Sequence, residues 1–247
     1  MGADEAASWR EVLAAHYRSA YGLALHPLQS DPAIVPPRGI VDVVQGRDKD
    51  DPTTFFGTGY REAFRYVSTL HAHGQCPTRM ERMLDFGVGT GRVLVHFLPF
   101  ALQRFGCDIT PEALAWTSGT LGAYASLQLT ASEPPLPFPD AHFDLILATS
   151  VFTHLAYAAQ PVWIRELARV LRPGGSILAT LHAKLPASAA ARGWHERYQD
   201  RGIHRRTYLA QPKALELWSA ALTVVDLDTP AAGQGLVMAT KPIPRHP

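Results

Sequence analysis

The hydrophobic pattern from residue 82 onward alternates between short apolar runs and longer segments with helical spacing. The run Leu145-Ile146-Leu147 is nearly continuous, as expected for a strand that is buried on both faces of a sheet. This alternation predicts a parallel sheet with helices packed against both of its faces. The predicted strands cover 83–86, 103–107, 126–129, 143–149 and 177–181, and the predicted helices cover 91–102, 161–171 and a segment that opens at Thr110-Pro111-Glu112.

The end of the chain departs from the parallel pattern. A helix is predicted at 212–221, and strands are predicted at 223–227 and 236–240. The connection between these two strands is too short for a crossover helix, so the two strands must pair antiparallel. The sequence therefore predicts an α/β fold with a mainly parallel seven-stranded sheet and an antiparallel last strand.

The residues ahead of the first strand predict a helical extension. Residues 9–25 and 60–73 carry apolar side chains at helical intervals, and 26–54 are rich in proline, glycine and aspartate. We therefore expect two helices joined by a long irregular connection. This divides the chain into an N-terminal helical extension or cap, residues 1–80, and a sheet domain, residues 81–247.

Residues 183–212 interrupt the alternation of strands and helices and predict a lid-like insertion. Two interpretations of its basic cluster stay open: the cluster grips a carboxylate or phosphate, or it is a solvated face. Trp194 and Tyr198 either line an aromatic pocket or anchor the loop. The basic residues of the cluster are Arg192, His195, Arg197, Arg201, His204, Arg205 and Arg206.

Composition limits the classes of protein to which the chain can belong. Its 247 residues, 47% hydrophobic and 18% charged, suit one α/β domain with additions. A formal net charge of +1 without a run of like charges disfavours a dedicated nucleic-acid binder. No segment reaches the roughly 20 apolar residues that a membrane-crossing helix needs, so no membrane partner is expected. The first ten residues contain acids and lack the apolar core of a secretory signal, so the expected location is cytoplasmic.

The two cysteines predict neither a disulfide framework nor a zinc site. Cys76 and Cys107 stand far apart, and neither belongs to a CxxC pair. No paired histidine and cysteine spacing and no acidic cluster indicates another metal, so we expect no metal site. Cys107 lies in a predicted buried strand, where it serves packing.

The glycine-rich turn after the first predicted strand is the most informative segment. Asp85 closes the strand, and Gly87, Gly89 and Gly91 follow. Glycine accepts positive φ and lets a ligand approach backbone that carries no Cβ. A helix that starts at the turn would direct its amide groups and dipole at an anionic ligand group. The spacing differs from the dinucleotide fingerprint G-x-G-x-x-G, and the nearby acid suits a zwitterionic amino acid better than a pyrophosphate.

Residues 83–92 resemble motif I of the class I S-adenosylmethionine-dependent methyltransferases. The resemblance implies a Rossmann-like class I methyltransferase fold with S-adenosylmethionine as cofactor. It implies that Asp85 contacts the ammonium side of the cofactor. The turn at Gly87, Gly89 and Gly91 would meet the methionine part.

The second motif of the resemblance is the end of the second predicted strand. The segment 106–112, Gly-Cys-Asp-Ile-Thr-Pro-Glu, is similar to the sequence usual in the family at this position. By resemblance, the carboxylate of Asp108 accepts both ribose hydroxyls, and Ile109 beside it also belongs to the cofactor site. Tyr60, just after Phe55 and Phe56, falls where the N-terminal segment of such enzymes closes over the cofactor.

The third motif precedes the fourth predicted strand. The segment 135–144 resembles the LPFxDxxFD sequence of many small-molecule members, of the type 11 or type 25 kind. These members usually carry a Gly-Asp-Ala triplet just before it, whose acid contacts the adenine amino group. Here Ala131-Ser132-Glu133 takes that place. The adenine is therefore expected to meet Ser132, Glu133 or the backbone of 131–133.

The fourth motif follows that strand and carries the candidate catalytic residues. The segment 150–155, Ser-Val-Phe-Thr-His-Leu, matches a phrase found in one subgroup of the family, at a position that faces the sulfonium and the acceptor. The resemblance places Ser150 in the cofactor site. A phenol or alcohol acceptor must lose a proton, and histidine titrates in the right range. His154 is the first candidate for this general base, with packing or helix capping as its alternative role, and His182 is the second.

These motifs predict a methyltransferase that transfers a methyl group in line to an oxygen or nitrogen of a secondary metabolite or sugar. The fourth strand ends without the Asn/Asp-Pro-Pro-aromatic motif usual in enzymes that methylate planar amide or adenine nitrogens. The expected partner is a small-molecule acceptor, with no nucleic acid, and a homodimer is compatible with the sequence. The alternatives are a protein or RNA methyltransferase and a non-catalytic S-adenosylmethionine-binding module.

Overall fold

The computed structural model describes residues 3–44, 52–199, 204–230 and 233–244. The helices are α1 Ala3–Tyr21, α2 Arg38–Val44, α3 Pro52–Ala72, α4 Pro111–Leu121, α5 Gln160–Val170 and α6 Gln211–Ser219. The strands are β1 Arg82–Phe86, β2 Gln103–Asp108, β3 Ser126–Leu129, β4 Phe143–Ala148, β5 Leu171–Leu181, β6 Trp194–Gln199, β7 His204–Leu209, β8 Thr223–Asp228 and β9 Gly235–Thr240. None of the described helices combines the length and apolar character required to cross a membrane.

Seven strands form one mixed sheet in the order β3-β2-β1-β4-β5-β9-β8. β4 is parallel to β1 and to β5, with Ile146 opposite Leu84 on one side and Ile177 on the other. β9 runs antiparallel to both β5 and β8. The predicted mainly parallel seven-stranded sheet with an antiparallel last strand is therefore confirmed. Helices α1 to α3 precede β1, and the division of the chain into 1–80 and 81–247 stays a prediction.

The chain consists of two compact units. The first comprises Met1–Glu81 and Val88–Leu129, and the second comprises Arg82–Gly87 and Thr130–Pro247. The core of the second unit is built on β4, all six residues of which are buried, and on the buried C-terminal part of β5. The ring of Trp163 on α5 lies 4.9 Å from the ring of Phe86. A strand covered on both faces is mainly apolar, as the run from Leu145 to Leu147 is, which is why the sequence located β4 correctly.

The core of the first unit encloses a fully buried histidine, His96. The ring of Tyr60 lies 4.2 Å from its ring, and Gln29 Nε2 lies 3.3 Å from its Nδ1. The His96 carbonyl accepts a hydrogen bond of 2.7 Å from the hydroxyl of Tyr17. Burial, with a smaller contribution from Arg92, lowers the pKa of His96 to about 3. The side chain is therefore neutral throughout the physiological pH range.

Acidification is expected to destabilise the fold through His96. Below the ordinary histidine pKa of 6.5 the unfolded chain gains a proton that the folded protein binds only near pH 3, so stability falls between these values. Between pH 7 and pH 4.5 the loss from this residue is about 2–3 kcal/mol of unfolding free energy. Denaturant titrations at the two pH values measure the loss. In His96→Gln the loss of unfolding free energy between pH 7 and pH 4.5 should be smaller by about 2–3 kcal/mol. The control Val95→Ala should lower the unfolding free energy equally at the two pH values. A loss in His96→Gln as large as in the wild type contradicts the prediction.

The segment after the glycine turn is not the α-helix predicted at 91–102. A short 3₁₀ helix spans Leu94–Phe97, with turns on both sides. All side chains from 93 to 98 are buried, and Pro99 has no amide hydrogen to continue a helix. The prediction is wrong because the apolar spacing belongs to a fully buried segment and not to one face of a helix. No α-helix dipole acts at the glycine turn.

Three other segments differ from their predicted structure. α3 begins at Pro52, so Phe55 and Phe56 lie inside the helix and are buried in the core. α2 and two 3₁₀ turns occupy part of 26–54, where an irregular connection is predicted. β5 starts directly after α5 and continues through the Pro-Gly-Gly sequence that predicts a break; Pro173 and Gly174 are exposed there, and Gly175 is buried.

The insertion at 183–212 contains a β-hairpin that the sequence analysis does not predict. β6 and β7 pair antiparallel from Trp194 opposite Leu209 to Gln199 opposite His204. Both strands are rich in polar and charged residues, so they lack the apolar alternation that marks a half-buried strand. The hairpin forms its own two-stranded sheet.

Candidate functional site

The carboxylate of Asp108 ties the glycine turn to the end of β2 in the first unit. Its Oδ2 accepts a hydrogen bond of 2.8 Å from the Gly89 amide, and its Oδ1 accepts one of 2.8 Å from the Thr110 amide. The Val88 amide donates to the Cys107 carbonyl at 3.0 Å. A carboxylate oxygen can accept two hydrogen bonds. The two amides therefore orient a group that can also accept from ligand hydroxyls.

The three glycines of the turn serve different purposes. Gly87, Gly89 and Gly91 have φ angles of +77°, +53° and +76°. A Cβ at Gly91 would lie 2.5 Å from Leu121 Cδ1, and one at Gly87 would overlap Val151. A Cβ at Gly89 would meet nothing within 4 Å. Packing requires glycine at 87 and 91, whereas Gly89 exposes bare backbone to which a ligand can draw close.

The amide groups of the turn are used within the protein. The Gly89 amide donates to Asp108, and the Gly91 amide donates to the Val88 carbonyl at 2.9 Å. The arrangement expected from the sequence, with these amides and a helix dipole converging on an anionic group, is therefore wrong for Gly89 and Gly91. The turn instead provides an oriented carboxylate beside an approachable backbone.

The residues around Asp108 fit an adenosyl group. Ile109 is 59% exposed although it is apolar, so it offers a contact surface for a flat base. The hydroxyl of Thr117 on α4 donates to the Gly89 carbonyl at 2.7 Å and holds the open part of the turn in place. The ribose diol of an adenosyl group needs a group that accepts two hydrogen bonds, and Asp108 is such a group. The adenine ring needs an apolar surface, which Ile109 offers, and the ribose needs space beside the backbone, which Gly89 leaves open.

Tyr60, another predicted cofactor residue of the first unit, lies inside α3. Its hydroxyl donates a hydrogen bond of 2.6 Å to the Gln29 carbonyl, and its side chain is 2% exposed. Burial raises the pKa of Tyr60 to about 12, so its hydroxyl keeps its proton. Contact between Tyr60 and the cofactor stays a prediction.

Three predicted cofactor residues of the second unit have contrasting surroundings. Asp85 is 2% exposed at the end of β1 and lies opposite Leu147 of β4. Ser132 and Glu133 lie on an exposed loop between β3 and β4, outside any helix or strand. The structure thus places the first in a buried framework and the other two at the surface. Their contacts with the cofactor stay predictions.

Two charged side chains of α5 hold the backbone of the segment from Leu136 to Phe138. Glu166 accepts a hydrogen bond of 2.6 Å from the Leu136 amide, and Arg169 donates to the carbonyls of Leu136 and Phe138 at 3.1 and 3.0 Å. Hydrogen bonds from Arg169 lower the pKa of Glu166, and those to Glu166 and Asp140 raise the pKa of Arg169. The sequence analysis missed Glu166 and Arg169, although their i,i+3 spacing is typical of a helical ion pair.

Ser150, directly after β4, adopts a left-handed conformation with φ +61°. Its amide donates to Thr180 Oγ1 at 2.7 Å, and its hydroxyl lies 3.0 Å from Gln234 Nε2. Thr153 donates its hydroxyl to the Ser150 carbonyl at 2.6 Å. A non-glycine residue in this conformation needs such support, and strained residues concentrate at functional sites. Contact between Ser150 and the cofactor stays a prediction.

His154 is exposed, and its tautomer is set by a backbone contact. Its Nδ1 lies 2.7 Å from the Arg205 carbonyl of β7. A carbonyl only accepts, so Nδ1 carries the proton and Nε2 has none in the neutral ring. Nε2 therefore has the lone pair that a general base needs. The sequence predicts the residue, and the β6–β7 hairpin supplies the partner that selects the tautomer.

His182 also contacts the hairpin, at the end of β5. Its ring stacks on Tyr208 at 4.9 Å with an angle of 23° between the planes, and its carbonyl accepts from the Leu209 amide at 2.8 Å. Burial, followed by smaller contributions from Arg206 and His154, lowers the pKa of His182 to about 4. The ring is neutral at pH 7 and a weaker base than an ordinary histidine.

The hairpin is firmly attached to the segment after β4. The amide of Thr207 donates to the Thr153 carbonyl at 2.8 Å, and its hydroxyl donates to the Leu155 carbonyl at 2.7 Å. Trp194 stacks on Tyr157 with ring centres 4.3 Å apart and planes 3° from parallel. The structure thus brings both candidate bases against one strand, β7.

Across the part of the chain that the structure describes, no group of three His, Cys, Asp or Glu side chains could hold a metal ion.

Comparison with known proteins finds a match to a methyltransferase domain in the middle of the chain. Residues 84–179 match the model of a family described as a methyltransferase domain. The uncharacterized methyltransferase YcgJ of Bacillus subtilis (strain 168) is 32% identical over 104 residues, covering 41% of this chain and 40% of that protein. Ajmaline N-methyltransferase of Rauvolfia serpentina is 32% identical over 106 residues, covering 40% of this chain and 35% of that protein. The matched region thus spans less than half the length of these relatives.

A solved structure extends the likeness to most of the chain. The 1,6-didemethyltoxoflavin-N1-methyltransferase of Burkholderia thailandensis superposes with a TM-score of 0.58 over 98% of this chain and 92% of its own, at 18% identity. At this identity the similarity establishes the fold alone. Residues 84–179 thus match a methyltransferase domain, and the solved structure shows the fold of such an enzyme over most of the chain.

Proposed function

We propose that this protein transfers the methyl group of S-adenosylmethionine to an oxygen or nitrogen atom of a small molecule, of the secondary-metabolite or sugar type. The observation that carries the proposal is the Asp108 carboxylate, held by two amide hydrogen bonds beside the open backbone of Gly89. The cofactor, when bound, supplies a sulfonium-linked methyl group that a nucleophile can displace in line. The residues of the chain bind the cofactor and the acceptor, align the reacting atoms and remove a proton from the acceptor.

In this proposal the first unit holds the adenosyl group. Asp108 accepts the two ribose hydroxyls, Gly89 admits the cofactor to the backbone, and Ile109 contacts the base. From the family motif, Asp85 receives the ammonium group of the methionine part. Alignment of the reacting atoms provides most of the acceleration, because the methyl donor is already reactive.

A small acceptor is favoured over a macromolecule by the docked hairpin and by two similar proteins. The contacts of Thr207 and Trp194 with residues 153–157 favour an enclosed pocket in the second unit over an open groove. Ajmaline N-methyltransferase and 1,6-didemethyltoxoflavin-N1-methyltransferase are both named for N-methylation of a small molecule. A protein or RNA acceptor and a non-catalytic binding module remain the competing hypotheses.

His154 is proposed as the general base. Its Nδ1 proton is bound by the Arg205 carbonyl, so its Nε2 accepts the proton that the acceptor loses. The lowered pKa of His182, about 4, makes that residue a weaker base. His182 is therefore proposed to shape the acceptor site by stacking on Tyr208.

The alanine variant of His154 tests this role. His154→Ala should bind S-adenosylhomocysteine within about twofold of the wild type, because no cofactor contact is proposed for it. Its kcat should fall by about a hundredfold with little change in KM, the usual size of a general-base contribution. Calorimetry and single-acceptor kinetics measure the two quantities. His73→Ala, which removes an exposed histidine, is the control; an unchanged kcat in His154→Ala assigns the residue to packing.

A labelled-methyl assay tests the proposed function. The protein is incubated with methyl-labelled S-adenosylmethionine and panels of phenols, amines, sugars, proteins and RNA. Turnover of a member of the first three panels is expected. Turnover of protein or RNA alone favours a macromolecular enzyme, and cofactor binding without turnover on every panel favours a binding module. The cytoplasmic location and a homodimer stay predictions, for cell fractionation and light scattering to check.

A further inference from the structure

The β6–β7 hairpin has two chemically different sides. Alternate residues of a strand point to opposite sides of a sheet. Thr207, Glu196 and Trp194 lie on the side that contacts residues 153–157. The other side is named the basic face here. It consists of His195, Arg197, Arg206 and Tyr208.

The basic face holds two arginines directly opposite each other. Arg197 pairs with Arg206 in the antiparallel register, and like charges in this position destabilise a hairpin. Neither guanidinium forms an ion pair with any residue that the structure describes. The acid of the described hairpin, Glu196, is on the other side, where it accepts the Tyr157 amide hydrogen bond. A bound anion would relieve the repulsion between the arginines.

Flat rings lie beside the arginine pair. Tyr208 stacks on His182 at 4.9 Å, and the ring of His195 lies 6.1 Å from the ring of Tyr208. Arg206 is near enough to His182 to contribute to the lowering of its pKa, so positive charge and ring surface are neighbours. Stacked and tilted rings at such distances form surfaces on which a planar ligand can pack.

We propose that the basic face recognises a methyl acceptor that is a planar ring carrying an anionic group, either a carboxylate or a phosphate. The inference rests on the proposed function and narrows its acceptor class. Arg197 and Arg206 bind the anion through charge-assisted hydrogen bonds, for which the planar guanidinium is well suited. Tyr208 and His182 pack against the ring of the acceptor. The structure thus favours anion recognition over a merely solvated basic cluster.

Paired probes that differ only in charge test the proposal. The full chain, saturated with S-adenosylhomocysteine, is titrated in a calorimeter with 4-hydroxybenzoate and with 4-hydroxybenzamide, and separately with phenyl phosphate and with phenol. At least one anion should bind about tenfold or more tightly than its neutral counterpart, the effect of one good charged contact. The pair with the larger ratio identifies the anion as a carboxylate or a phosphate.

Variants of the arginine pair locate the binding. Arg206→Gln and Arg197→Gln should each reduce the ratio to about threefold or less, because each removes one charged contact. Arg192→Gln is the matched control: its guanidinium lies 4.3 Å from the centre of the Trp194 ring, on the other side of the hairpin. This control should keep the wild-type ratio. Thermal melting confirms that the variants are folded.

Three results would overturn the proposal: equal wild-type affinity for the charged and neutral probes, no binding of any probe, or the same loss in Arg192→Gln as in Arg206→Gln. The titrations are repeated without S-adenosylhomocysteine to separate the two proposals. S-adenosylhomocysteine binding without a charge preference contradicts only the basic face. A charge preference in a protein that fails to bind S-adenosylhomocysteine contradicts methyl transfer.

Discussion

Replacing Asp108 by alanine is expected to weaken S-adenosylhomocysteine binding by at least about a hundredfold. The carboxylate is proposed to accept both ribose hydroxyls, and hydrogen bonds to a charged group contribute about 1.5–3 kcal/mol each. The substitution also removes the acceptor that orients the Gly89 and Thr110 amides. The turn then loses its link to β2 as well as its ligand contact. Calorimetric titration with S-adenosylhomocysteine measures the loss.

Two further variants make the Asp108 result specific. Asp108→Asn preserves the shape and one oxygen acceptor, so an intermediate loss of about tenfold is expected. Glu112→Gln removes an exposed carboxylate from the first turn of α4 and should leave affinity within about twofold. Circular dichroism and melting curves verify folding. Wild-type affinity in the Asp108→Ala protein would refute the assignment of the ribose to this residue.

Alanine substitutions at Gly89 and Gly91 are expected to affect different properties: the first weakens cofactor binding, and the second lowers the stability of the fold. In Gly89→Ala the new Cβ meets no protein atom, and a φ of +53° costs alanine about 1–2 kcal/mol. The variant should therefore fold but bind S-adenosylhomocysteine at least about tenfold more weakly, because the methyl group occupies the ligand's approach to the backbone.

Gly91→Ala should show the opposite result. Its Cβ would lie 2.5 Å from Leu121 Cδ1 and 3.1 Å from Thr117 Cγ2, at a φ of +76°. Overpacking and backbone strain together should lower the unfolding free energy by about 2–5 kcal/mol. Denaturant unfolding and calorimetry are run on both variants. A Gly89→Ala protein with full affinity, or a Gly91→Ala protein as stable as the wild type, contradicts the division of roles.

The order of the elements was accessible from the sequence because each element depends on its own residues. The apolar run of β4 is typical of a doubly covered strand, and the short connection from β8 to β9 permits only antiparallel pairing. The helix predicted at 91–102 is wrong for a related reason. Apolar spacing distinguishes a helix from other buried structure only when one side of the segment faces water, and the side chains from 93 to 98 are all buried.

The residues of the candidate site could be predicted from the sequence only in part. Asp108 and Gly89 stand in motifs that the sequence displays in full, and the structure joins them by a hydrogen bond of 2.8 Å. The roles of Glu166 and Arg169 as supports of the 136–138 backbone were missed. Side-chain bonds to backbone groups about 30 positions away leave no local pattern. Helical spacing revealed the pair but not what it holds.

By itself, the sequence determined the order along the chain of the seven strands of the main sheet, the antiparallel ending and the residues of the family motifs, because turn chemistry and periodicity act between near neighbours. Only the tertiary structure decided which glycine of the turn is open to a ligand, since Leu121 and Val151 close the other two. It also decided the His154 tautomer, through a carbonyl 51 positions away. Contacts at such separations depend on how the elements pack together, and this packing is not encoded in the spacing of residues within any one of them.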